Sequence, residues 1–167
     1  VHYEESLRVP LIVRDPRPGT ARGETRDATV LNLDLPATIL DYARVPRPAA
    51  YQGRSLRPLV EGQTPADWRT DFFCEHLMEH PRLPKWEGVR TSRFTYSRYF
   101  QEAPPYEFLH DRGTDPNQLA NFAGDPRYAD ELETLRARTD ELRDSYGGAY
   151  SPETFPLADR QPSLDGK

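Results

Sequence analysis

Four short runs rich in aromatic and β-branched residues follow one another in the middle of this chain, at residues 71–75, 88–91, 94–99 and 106–110. Each has the length and composition of a strand. Thr91-Ser92-Arg93-Phe94 has the size of a tight hairpin connection between two of them. One helical repeat comes next. Asp125-Pro126 offers an N-capping acid and a proline at the first helical position. Tyr128, Leu132, Leu135, Thr139 and Leu142 then recur three or four apart, as one apolar helix face does, and Gly147-Gly148 stops the run.

The first 64 residues have a different texture. Residues 9–13 form a short apolar run, read here as a buried strand. Asp15-Pro16-Arg17-Pro18-Gly19 breaks it, and a polar loop follows. Asn32 or Asp34 can cap a helix with Pro36 in its first turn and Leu35, Ile39, Leu40 and Ala43 on one face. Pro46 and Pro48 end that helix, and Leu56 to Val60 form an apolar turn closed by Gly62. A strand at residues 9–13 has no neighbour in this half of the chain, so it needs partners from elsewhere. If it stays in a compact chain, an exposed apolar patch should mark the missing interface.

Composition narrows the class. Hydrophobic residues make up 36% of 167, and 17 prolines favour irregular connections. Nine tyrosines and seven phenylalanines argue against disorder. The net charge of −5 gives no nucleic-acid footprint. No apolar run approaches the ~20 residues of a membrane span. Cys74 is the single cysteine, so no internal disulfide can form.

Several segments, in order, resemble one family. Tyr3-Glu4-Glu5-Ser6-Leu7-Arg8-Val9-Pro10-Leu11-Ile12 resembles the sulfatase segment that follows the active-site lysine in the alkaline phosphatase superfamily. Residues 32–43 are similar to the family's D-L-x-P-T-L-L-D-L-A-G helix, and residues 51–59 to its G-x-S-L-x-P-L-L element. Residues 88–96 are similar to the V-R-T-x-R-Y-K-Y hairpin, and residues 106–121 to E-E-L-Y-D-L-x-x-D-P-x-E-x-x-N-L. Arg44 stands where the family has a helix-ending glycine, and Thr95 where it has lysine.

The resemblance implies an α+β chain that forms the C-terminal part of an α/β sulfatase fold. Residues 1–64 would be the last piece of the α/β catalytic domain. Residues 65–148 would form a small four-stranded antiparallel sheet packed against a C-terminal helix, and 149–167 an extended tail. The activity implied is hydrolysis of sulfate esters, on a sulfated small molecule or glycan. Calcium and a formylglycine nucleophile would serve it, both upstream of Val1. The segment itself would then hold no catalytic group and no metal ligand, and would be inactive alone. Export is common among similar enzymes, but its signal would lie upstream too.

The candidate substrate contacts are Glu75 and His76, placed in a loop after the first of the four strands, and Arg90. Arg93 is a weaker candidate, because strand arginines usually pair with neighbouring acids. Glu4 and Glu5 either orient the missing lysine or solvate the turn. Cys74 lacks the formylglycine maturation context and reads as a small buried hydrophobe. His76-Leu77-Met78-Glu79-His80 matches the inverted zincin pattern, but Pro81 leaves no helix to carry two zinc ligands. Trp68 and Trp86 read as packing against the strands, and the charges of the last helix as a solvated outer face. Two alternatives stay open: a phosphonate or phosphate ester hydrolase of the same superfamily, and a free-standing carbohydrate-binding or interaction module. Self-association through the exposed patch is a further expectation.

Overall fold

A computed structural model describes residues 1–17, 20, 22–80 and 82–150. The tail expected beyond Tyr150 lies outside the described residues. In chain order the elements are α1 (Glu4–Leu7), α2 (Asp34–Ala43), α3 (Arg57–Val60), β1 (Asp71–His76), β2 (Trp86–Thr91), β3 (Phe94–Tyr99), β4 (Tyr106–Asp111), a 3₁₀ turn (Pro126–Tyr128) and α4 (Ala129–Ser145). They sort into two compact units, one within residues 10–70 and one formed by residues 1–9 with 71–150.

In the larger unit the strands lie in the order β1-β2-β3-β4, all antiparallel. This is the α+β arrangement expected. Val89, Tyr96 and Leu109 face α4 and form a core with its Leu132 and Leu135. Burying each such side chain contributes roughly 1.5–3 kcal/mol. Asp125 caps the turn before α4 by accepting from the Arg127 amide at 2.9 Å, and Gly147 and Gly148 end the helix at φ of 122° and 89°. The charges of α4 do more than solvate it. Arg136 reaches Glu107 of β4 at 2.8 Å and Arg138 reaches Asp71 of β1 at 2.7 Å. Arg98 of β3 reaches Asp140 at 2.5 Å, so ion pairs rim the apolar contact between helix and sheet.

The smaller unit turns on a buried carboxylate. Asp34 does not cap α2 from outside; it is the first helical residue. Its oxygens accept from the amides of Leu31 and Arg54, each at 2.8 Å, and from the Arg69 guanidinium. Leu56, Leu59 and Trp68 pack into a small core, and the Trp68 indole donates to Thr29 O at 2.8 Å. Trp68 therefore packs on α3 within its own unit, whereas Trp86 is a buried member of β2.

Residues 9–13 are not a buried strand here. They carry no strand pairing, and Val9, Leu11, Ile12 and Val13 are exposed, Ile12 to 92%. The physical reason is the one that made this run unusual: among the described residues no strand runs beside it. Leu33, Leu35, Ile39 and Val45 are exposed as well. This is much exposed apolar surface for so small a unit.

Candidate functional site

Strand pairing brings four residues to one end of the sheet. His76 pairs with Trp86, and Tyr99 pairs with Tyr106. Glu75 and His76 are both in β1, not in the loop beyond it. Successive strand residues point to opposite faces. Glu75 therefore shares the α4 face with Phe73, whereas His76 shares the opposite face with Cys74. The two are neighbours in sequence but do not converge. Burial, then the facing Glu87, raises the Glu75 pKa. The His76 ring is pushed below its ordinary pKa, chiefly by burial, and its buried Nε2 has no hydrogen-bond partner among the described residues.

Arg90 lies on the same face as His76, four pairs along the strand. Its guanidinium grips Glu4 with two bonds of 2.6 and 2.8 Å, and Arg112 stands 3.5 Å from the same carboxylate. Burial alone would raise the Glu4 pKa, but the bond to Arg90 and the charges of Arg90 and Arg112 hold it below the usual range. Glu4 is thus the clamp that ties α1 to the sheet, while Glu5 is exposed. Arg93 binds Asp111 at 2.8 and 2.6 Å.

Cys74 points its sulfur at Gly88 O, 3.6 Å away, and burial pushes its thiol up to about 12. A thiol held protonated is no nucleophile at neutral pH. His80 Nδ1 accepts from the Arg82 amide at 3.1 Å, and Glu79 pairs with Lys85. Residues 77–80 form no helix. Among the described residues no group of three or more His, Cys, Asp or Glu is placed to hold a metal ion. The described side chains therefore do not fit a calcium site.

His2 is a further member of the site, outside every motif read above. It is 1% exposed and sits against β3 and β4. Its ring stacks on His110 with centroids 5.2 Å apart and lies 4.5 Å from the Phe108 ring. His2 Nδ1 is 3.1 Å from the Tyr99 hydroxyl, and His2 Nε2 is 3.1 Å from His110 Nε2. Beside this group opens a cleft of about 440 Å³, lined by His2, Tyr3, Tyr99, Glu102, Tyr106 and Phe108 with two prolines. These partners lie about a hundred residues from His2, so no local pattern marks it.

The sheet, the helix behind it and the clamped Y-E-E-S turn together have the form of a sulfatase C-terminal domain. The chain belongs to the N-sulphoglucosamine sulphohydrolase C-terminal family, whose model matches residues 1–145. It is 35% identical to an N-acetylglucosamine-6-O-sulfatase of Bacteroides thetaiotaomicron over 149 residues, 86% of this chain and 26% of that protein. A solved structure in complex with its substrate D-glucosamine-2-N,6-O-disulfate matches with a TM-score of 0.62 at 27% identity, over 80% of this chain and 25% of the other. The phosphonate monoester hydrolase of Silicibacter pomeroyi matches with a TM-score of 0.67 at 30% identity, over 77% and 28%. The chain thus spans about a quarter of the length of these relatives.

Proposed function

We propose that this chain is the C-terminal part of an enzyme that hydrolyses sulfate esters on a carbohydrate. The observation that carries the reading is the family match over nearly the whole chain, joined to the likeness to an N-acetylglucosamine-6-O-sulfatase. In this reading a formylglycine and calcium outside the chain would supply the nucleophile and the charge that stabilises the sulfuryl group as it is transferred from the sugar oxygen, with the sugar alcohol as leaving group. The segment itself closes the substrate pocket. His76 is the residue proposed to touch substrate: its Nε2 has no hydrogen-bond partner among the described residues, and a shift of the ring from its buried position would bring that nitrogen to a ligand. Arg90 acts through Glu4, and Glu75 acts from the other face of the sheet. The exposed apolar side chains of residues 9–13 and of α2 support a packing surface for further sheet, and for self-association when that surface is bare.

The test is direct. The isolated chain, with or without calcium, is expected to turn over no aryl sulfate, and the full-length enzyme is expected to do so. Turnover by the isolated chain would overturn the division of labour. A second reading, phosphonate monoester hydrolysis, is favoured by the likeness to the Silicibacter pomeroyi enzyme. Comparing the full-length enzyme on a phosphonate monoester and a sulfate ester decides between them.

A further inference from the structure

The cleft beside His2 has a hydrogen-bond polarity set by the groups behind it. Ala120 O is an acceptor only, and His110 Nδ1 lies 2.8 Å from it, so His110 carries its proton on Nδ1. His110 Nε2 then offers a lone pair. His2 Nε2, 3.1 Å away, must donate to it. That leaves His2 Nδ1 as an acceptor, and the Tyr99 hydroxyl donates to it at 3.1 Å. Every proton in this relay is committed inward, so the Tyr99 oxygen has only lone pairs left to offer.

Glu102 adds a carboxylate to the same cleft, and no arginine or lysine among the described residues lines it. The hydroxyls of Tyr3 and Tyr106 can turn to serve either role. Aromatic rings supply the remaining surface: Tyr106 stands edge-on to Phe108 at 4.9 Å and is 58% exposed. Such a wall suits a ligand with an apolar ring face and O–H donors around its edge. It disfavours an anion, because a sulfate brings acceptors and negative charge to a site already rich in both.

We propose that this cleft is a subsite for an uncharged saccharide ring, stacked on the Tyr106 side and donating hydroxyl protons to Tyr99 and Glu102, and that it does not take the sulfate group. The proposal deepens the carbohydrate reading above and rests on it. The test is titration of the chain with the β-1,4-linked disaccharide of N-acetylglucosamine, followed by tyrosine fluorescence or NMR. Saturable binding is expected, weakened at least fivefold in Tyr106→Ala, a substitution at an exposed site. Inorganic sulfate is expected not to compete. Absence of binding, equal binding by Tyr106→Ala, or competition by sulfate would each overturn the subsite. Binding needs no turnover, so this failure is separable from failure of the sulfatase reading. An enzyme inactive on every sulfate ester would overturn the latter while leaving the disaccharide titration intact.

Discussion

His2 Nε2 lies 3.1 Å from His110 Nε2, across 108 residues of chain, with both rings buried. Such a contact holds only while one nitrogen keeps a lone pair. Burial, then His110 and the terminal ammonium, pull the His2 pKa down to about 3. Burial likewise lowers His110, against a smaller raising effect of the Ala120 carbonyl and Asp115. In the unfolded chain both rings titrate near ~6.5. Below that pH the unfolded state binds protons that the folded state does not. Their stabilisation is therefore complete above ~6.5 and declines as pH falls toward the folded values. Between pH 7 and 5 the loss is expected to be on the order of 2–4 kcal/mol, with His76 adding in the same direction. Urea midpoints across this window measure it, and His2→Phe should flatten the slope. A midpoint independent of pH would count against the relay.

The Glu4–Arg90 clamp predicts a cooperative loss. Both side chains are 15% exposed, and removing one partner strands a largely buried charge, with Arg112 left uncompensated beside it. Glu4→Gln is expected to cost about 2–4 kcal/mol, read as a drop in thermal midpoint. The double variant with Arg90→Gln should cost less than the sum of the two singles, since neither charge is then left alone.

At the end of α2 the expected effect is a gain. Arg44 holds φ at 57°, the left-handed region. Its amide donates to Asp41 O at 3.0 Å, and the Val45 amide donates to Leu40 O at 2.9 Å. That pairing is the glycine-type helix ending, made here by a residue with a Cβ. Arg44→Gly removes a strain of ~1–2 kcal/mol and gives back part through a more flexible unfolded chain. A net stabilisation of about 0.5–1 kcal/mol should appear in the denaturant midpoint.

On the sulfatase reading proposed above, His76→Ala in the full-length enzyme is expected to lower kcat/KM on a sulfated carbohydrate about tenfold or more. The effect on a small aryl sulfate should be much smaller, because a contact to the carbohydrate is absent there. Equal losses on both substrates would remove His76 from substrate contact and leave it a structural role.

Much of this protein is legible in its residue order. The four aromatic-rich runs became β1 to β4, each within two residues at its ends, because alternation and turn chemistry are local. Leu132, Leu135 and Thr139, chosen by helical spacing, are the buried positions of α4. The family resemblance was also carried by short segments in sequence. Only the tertiary structure decided which face each residue took and what it met there. It separated Glu75 from His76 across the sheet and gave Arg90 to Glu4. It left residues 9–13 exposed, and it placed His2 against His110 and Tyr99. These outcomes depend on pairing register and on contacts about a hundred residues apart, and single-chain periodicity contains neither. Local chemistry determined the elements of this protein; long-range packing determined its cleft.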